Sequence, residues 1–251
     1  MEQDLLTLGV DTSTERRSVA LVRGGRVLAE SSTGLREGGS ANLLADIDRV
    51  LVAAGVKLGE VGLYAAAVGP GSFTGLRAGL ATVKGLALTT GRPAAGVQTL
   101  HALAYCVRPA PRVVALIPAG RGEVFAQLLS VSDEGVVTEL EAPTHLPPAQ
   151  LLERVAGLGG GVKWTGGGAL KFLELIRERA AAAGIDFVEG GAADVAEGGG
   201  WVYSPAEEAL AKSVAEMAHG ARARAAGAEG LVAVYVRPSD AELKGLCHAQ
   251  N

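Results

Sequence analysis

The stretch Val68–Leu88, VGPGSFTGLRAGLATVKGLAL, constrains this chain more than any other. An apolar run ends in a glycine-rich turn that leads straight into a long helical pattern. A turn without side-chain bulk at a helix N-terminus serves close approach to a ligand or to another segment, because its amides stay accessible. The spacing excludes the two commonest phosphate motifs. After Gly69 and Gly71, a dinucleotide fingerprint needs glycine at position 74, where Thr74 stands, and Gly75 comes one residue late. A P-loop needs lysine after its second glycine, whereas Leu76 and Arg77 follow Gly75.

Around this stretch the first hundred residues alternate between strand and helix signals. Leu5–Val10 is an apolar run ending at Asp11, followed by Thr12-Ser13-Thr14. Gly24-Gly25 separates two strand-like runs, Ser18–Val22 and Arg26–Glu30, as a two-residue hairpin turn. Ser40 can cap a helix that runs to about Ala54 and stops at Gly55. A strand over Leu63–Val68 leads into the glycine turn and its helix to about Thr89; Gly91 and Pro93 break it. Ala95–Gln98 is a further strand, and Thr99 can cap a further helix.

Pro109-Ala110-Pro111 reads as a linker. Beyond it, apolar runs at Val113–Ile117, Val124–Val131 and Val136–Leu140 precede a helix near Pro148, a strand over Val162–Thr165 and a helix over Leu170–Ala183. Ser204-Pro205-Ala206-Glu207 is a capping box opening a last helix to about His219, and Asp194–Gly200 reads as a loop. The order β-β-β-α-β-α therefore recurs. This predicts an α/β chain of two related units, residues 1–108 and a smaller 109–251, with the last helix able to pack back on the first unit. Such a duplication after a carboxylate-ending first strand is the arrangement of the two-domain actin-like ATPase (ASKHA) fold.

Composition narrows the function classes. The 251 residues carry a formal net charge of −4, which argues against tight nucleic-acid binding by this chain alone. Only Arg222 and Arg224 hint at a basic spot. Cys106 and Cys247 fit no metal spacing and suit a reducing compartment. Without a basic leader or a membrane-length apolar run, the chain is expected to be cytoplasmic, with no membrane partner.

No catalytic set is legible. Ser72 lies outside any G-x-S-x-G elbow, and His101, His145, His219 and His248 show no ligand pairing. Glu123 and Asp133 stand isolated. Asp11, Thr12 and Ser13 could form a nucleotide-phosphate loop, or a strand-end turn in which Asp11 accepts from its neighbours' amides; both readings remain open. The helix after the glycine turn carries more. At about 100° per residue, Leu76, Leu80, Val83 and Ala87 form one stripe suited to a core. Opposite lie Ala78, Thr82, Gly85 and Thr89, with Gly75 and Gly79 close by, and no charge among them. Interior glycines cost about 1 kcal/mol each against alanine, so close contact with another helix would offset them. Leu43, Leu44, Ile47, Val50, Leu51 and Ala54 on the preceding helix form a broad apolar arc able to serve a core along one edge and a partner, through Leu43, Leu44, Ile47 and Leu51, along the other.

These segments resemble the TsaB (YeaZ) family, which takes part in making threonylcarbamoyladenosine on tRNA. The resemblance rests on VDTST at 10–14, GPGSFTGLRAGLA at 69–81, GVQTLHALA at 96–104, GEVF at 122–125 and VYVRP at 234–238. It implies the ASKHA fold and a non-catalytic pseudo-enzyme without a cofactor, forming a heterodimer with the catalytic subunit TsaD. Within that complex it implies a TsaE-like ATPase and contact with tRNA only through the complex, with a homodimer when alone. In the related TsaD pattern a metal-binding HxxxH pair falls where this chain has Thr99 and Leu103, which implies no metal here. Pro118-Ala119-Gly120 also stands where the family has an acidic residue before Arg121. The alternative is an active nucleotide-dependent ATPase or phosphotransferase of the same fold.

Overall fold

A computed structural model describes residues 5–34, 42–190, 199–206, 209–221 and 227–236. Two sheets organise the chain. The first contains β1 (Leu6–Asp11), β2 (Arg16–Arg23), β3 (Arg26–Gly34), β4 (Leu63–Gly69) and β5 (Ala94–Gln98), in the spatial order β3-β2-β1-β4-β5. The second contains β6 (Ala110–Gly120), β7 (Glu123–Val131), β8 (Val137–Glu139), β9 (Thr144–Leu146), β10 (Val162–Thr165), β11 (Phe187–Glu189) and β12 (Trp201–Tyr203). Its order is β11-β12-β10-β6-β7-β8, with β9 on the same edge of β7 as β8. In both sheets the first three strands pair antiparallel in succession, and two later strands, β4 and β5 or β10 and β12, add in parallel on the other side of the first. The duplicated α/β plan of the sequence is therefore realised strand for strand, with β9 and β11 as additions to the second copy.

Alternation along the strands explains the layers. Tyr64, Ala66 and Val68 of β4 join the cluster under α1 (Leu43–Ala54) and α2 (Phe73–Thr90), while Leu63, Ala65 and Ala67 face the opposite way. All seven residues of β4 are buried, as a central parallel strand covered on both faces requires. The second sheet has α4 (Pro148–Ala156), α5 (Gly167–Lys171) and α6 (Leu173–Ala182) on its outer face. Between the sheets the two remaining helices are exchanged. α3 (Thr99–Cys106), which follows the first sheet in sequence, packs on β6 and β7 of the second. α7 (Ala211–Gly220), which follows the second sheet, packs on β1, β2 and β4 of the first.

Several boundaries differ from the sequence reading, each for a local reason. α1 begins at Leu43 after Asn42, with no side-chain cap, and Ser40 lies outside the described residues. Thr99 is the first residue within α3 rather than its cap, and its buried Oγ1 makes no hydrogen bond. The supposed linker is the start of β6, which takes in Ala110 and Pro111. The helix expected over Leu170–Ala183 is broken at Phe172 into α5 and α6. The last helix starts at Ala211, not within the Ser204–Glu207 box, because Ser18 Oγ of β2 accepts the Ala211 amide at 3.1 Å. Glu207, Arg222, Arg224, His248 and most of the 194–200 segment lie outside the described residues.

Glycines separate two kinds of helix surface. A Cβ at Gly9 of β1 would stand 2.2 Å from the Ala211 carbonyl and 2.9 Å from Ala215 Cβ, so α7 lies directly on the β1 backbone. A Cβ at Gly85 on α2 would meet nothing within 4 Å. Gly9→Ala is therefore expected to lower stability by about 1–3 kcal/mol through overpacking. Gly85→Ala is expected to raise it by up to about 1 kcal/mol through helix propensity. Chemical denaturation of both variants checks the pair; equal effects of one sign would contradict this packing.

Candidate functional site

The glycine turn and the Asp11–Thr14 turn fold onto each other. Ser72 caps α2, its Oγ accepting the Gly75 amide at 3.2 Å, while its own amide donates to Ser13 O at 2.8 Å. Thr12 Oγ1 donates to Gly75 O at 2.8 Å. A Cβ at Gly71, Gly75 or Gly79 would fall 2.3 Å from Ser13 O, 2.0 Å from Thr12 O and 2.2 Å from Thr12 Oγ1 respectively. The absent side chains of the turn thus admit another part of the same chain.

The nucleotide candidates take part in this arrangement. Asp11 is fully buried; its Oδ1 accepts from Ser13 N at 2.8 Å and Ser13 Oγ at 2.5 Å, and its Oδ2 from Thr14 Oγ1 at 3.2 Å. Burial pushes the carboxyl above the ordinary carboxylate range, and the hydrogen bonds from Ser13 and Thr14 only partly oppose it. The geometry is that of the strand-end turn. Thr12 is buried beneath α2, and Ser13 and Thr14 border the cleft between the sheets.

That cleft encloses about 1420 Å³. Ile117, Pro118, Phe125 and Leu170 form much of one wall, and Phe73, Val234 and Tyr235 much of the other. Pro118-Ala119-Gly120 ends β6 here, and the turn to β7 uses positive φ at Gly120, Arg121 and Gly122. Thr99 and Leu103 are buried on α3, Leu103 packing with Leu100, Ile117 and Phe125. Among the described residues, no three His, Cys, Asp or Glu side chains gather as metal ligands would.

Two histidines expected to stand alone have carboxylate neighbours. His101 Nε2 lies 3.2 Å from Glu139 of β8, and His145 Nε2 lies 2.9 Å from Glu123. Burial lowers the His101 pKa, and the Glu139 charge works against that. Each pair is separate from the other, and sequence spacing carried no signal for pairs so distant along the chain.

The proposed partner face divides on inspection. Leu76, Leu80, Val83 and Ala87 are buried as the core stripe predicts. Gly75 and Gly79 are buried too, against the Asp11–Thr14 turn, so these two belong to the interior and not to the outer face. Leu43, Ile47 and Leu51 likewise sit in the core under the first sheet; only Leu44 of that predicted group is exposed. The apolar arc of α1 is consumed by its own sheet. What remains outside on α2 is Ala78 and Thr82, half-buried, and Gly85 and Thr89, exposed. The sequence reading missed Val52 and Leu88, each 71% exposed on the same two helices. Their signal was available, since both are apolar residues off the core stripe. On α1, Asp46 turns inward and holds buried Arg17 at 2.6 Å and Arg49 at 2.8 Å.

Comparison with known proteins sharpens this picture. The family described as TsaD, tRNA N6-adenosine threonylcarbamoyltransferase, matches residues 37–160. The tRNA threonylcarbamoyladenosine biosynthesis protein TsaB of Escherichia coli is 35% identical over 156 residues, which cover 61% of this chain and 67% of that one. The solved structure of YeaZ from Pseudomonas aeruginosa superposes with a TM-score of 0.68 at 28% identity, covering 92% of this chain and 99% of that one. A ROK hexokinase from Thermus thermophilus, at a TM-score of 0.50 and 16% identity over 85% of this chain and 98% of that one, shares the fold alone. Among the described residues no helix is long and apolar enough to cross a membrane.

Asp11 offers a direct test of a structural against a ligand-holding carboxylate. Its folded pKa is raised, so its contribution to stability is full below the ordinary value of 3.8 and is lost as pH rises through the folded pKa. Asp11→Asn retains an acceptor for Ser13 and removes the buried charge. The variant is expected to be at least as stable as the wild type at neutral pH, with the gap closing as pH falls towards 3.8. Thermal unfolding across that range checks it; a variant less stable at neutral pH would show that the charge itself is needed.

Proposed function

This chain belongs to the TsaB family, and from that membership we propose that it is the non-catalytic partner of a TsaD-like threonylcarbamoyltransferase. Its family places it in tRNA threonylcarbamoyladenosine biosynthesis. In the proposed role it forms a heterodimer with the TsaD-like subunit and supports transfer of the threonylcarbamoyl group to the adenosine next to the anticodon. A TsaE-like ATPase belongs to the same complex, tRNA is met through the complex, and the face used for pairing supports a homodimer when the partner is missing.

One observation carries this reading: the outer face of α2. Ala81, Gly85, Leu88 and Thr89 are exposed there, Ala78 and Thr82 are half-buried, and none carries a charge. Leu44 and Val52 add exposed apolar surface on neighbouring α1. Uncharged small and apolar side chains gathered on the outer faces of two helices that touch each other mark an interaction site. Small side chains with open space above Gly85 let another helix approach closely. The match of residues 37–160 to the TsaD description is consistent with a partner related to this chain. The reading as an active ATPase or phosphotransferase has less support, because the oxygens of Asp11 are engaged by Ser13 and Thr14 beneath α2. ATP turnover by the isolated chain, abolished by Asp11→Ala, would favour it instead.

Thr82→Arg and Gly85→Arg place a charge on the pairing face without entering the core. Both variants are expected to keep wild-type circular dichroism as monomers and to lose the TsaD-like partner, since an unpaired buried charge costs about 3 kcal/mol or more. Size-exclusion chromatography with and without the partner reads the result. An unfolded variant would place the face in the core, and normal pairing would place the interface elsewhere.

A further inference from the structure

Exposed rings are exceptional in this chain. Trp164, Trp201 and Tyr64 are fully buried, and Tyr203 and Phe125 nearly so. Phe73 and Tyr235 remain 42% and 48% exposed, and they meet each other, ring centroids 5.5 Å apart. Arg77, one turn after Phe73, lays its guanidinium 3.8 Å from the Phe73 ring centre and points Nε at Tyr235 Oη, 3.5 Å away. The stack has a firm base. Val234 N donates to Val68 O at 2.7 Å, and Gly69 leaves no room for a Cβ between them, only 2.6 Å from Val234 O. A ring pair capped by a guanidinium and anchored by backbone is a preformed stacking surface.

The stack stands on the wall of the cleft between the sheets, whose charged lining residues, among those described, are Glu15, Arg16, Arg77 and Lys171. Among the described residues of this lining cations outnumber acids, in a chain whose formal net charge is −4. An occupant complementary to this wall brings a flat ring and negative charge together. Of the Asp11–Thr14 turn only Ser13 and Thr14 reach this cleft; Asp11 is fully buried with its oxygens taken by those two residues, and Thr12 lies beneath α2. Ring faces and separated cations suit one unit of a strand better than a free nucleoside triphosphate.

We propose that Phe73, Tyr235 and Arg77 hold an unpaired nucleotide of a single RNA strand, its base on the rings and its phosphates drawn by Arg77 and Lys171. This rests on the reading of the chain as a tRNA-modification subunit and departs from it at one point, giving the subunit an RNA contact of its own rather than one made only through its partners. The stack is a binding surface, separate from the Thr82–Thr89 pairing face further along α2.

Anisotropy of a labelled, unstructured short oligoribonucleotide, titrated with the full chain at low salt, tests it. Saturable binding is expected, weakened about tenfold by Tyr235→Ala or Phe73→Ala and little changed by Tyr235→Phe. Arg77→Gln is expected to weaken binding and flatten its salt dependence. Circular dichroism of each variant confirms the fold, and retention of the TsaD-like partner by Tyr235→Ala separates this inference from the pairing reading. Absence of saturable binding, or unchanged binding by both alanine variants, would overturn the proposal. So would displacement of the strand by adenosine monophosphate at equal concentration, which marks a free-nucleotide site, or by polyglutamate, which marks an acidic-peptide site.

Discussion

Everything in the first half of the molecule depends on how closely α2 lies against the turn that follows β1. Thr12 and Ser13 reach the α2 backbone only because positions 71, 75 and 79 carry no Cβ. That contact sets the roll of the helix about its axis. With the roll set, Leu76, Leu80, Val83 and Ala87 point into the sheet, and the small residues from Ala78 to Thr89 point outward. It also aims Phe73 and Arg77 along the cleft. A glycine-rich turn, free of side-chain bulk as close approach requires, here admits the chain's own backbone.

The second constraint is the exchange of helices between the sheets. α3 covers the inner face of the second sheet and α7 that of the first, so each half is completed by the other. Lys163 holds the junction. Buried on β10, it donates from Nζ to Val107 O at 3.0 Å and Pro109 O at 3.1 Å, where α3 ends and β6 begins. A cation is well placed at a helix C-terminus, where carbonyls lack partners. The cleft is the space this arrangement leaves between the sheet ends.

Local signals were the legible ones. The positive φ of Gly24 and Gly25 follows from a two-residue hairpin, and the left-handed caps at Gly55 and Gly91 follow from helix termination. The α2 core stripe follows from a period of 3.6 residues. Properties that depend on distant residues were not legible. Gly75 and Gly79 looked like part of an outer face because their partner, Thr12, lies more than sixty residues earlier. The broad arc of α1 looked like two surfaces because the depth of the sheet beneath it is not written in α1. The start of α7 is set by Ser18, and a Ser-Pro-Ala-Glu box a few residues upstream was a more familiar but incorrect signal. The aromatic stack brings Tyr235 to Arg77, 158 positions earlier, beyond the reach of any local pattern.

The exchange of α3 and α7 also bears on how the chain is made. Synthesis runs from the N-terminus, so the first sheet can form its hairpin and receive α1 and α2 early. Its inner face, Leu63, Ala65, Ala67 and Val97, still waits for Val214 and Ala218. Gly9 meets Ala211 only after some two hundred further residues have emerged, a separation that slows folding and leaves apolar surface exposed meanwhile. The N-terminal half is thus an architectural unit without being a folding unit. A nascent chain stalled before α7 presents a bare sheet face to chaperones, and a gene split between the two sheets would yield two fragments that each need the other to become soluble.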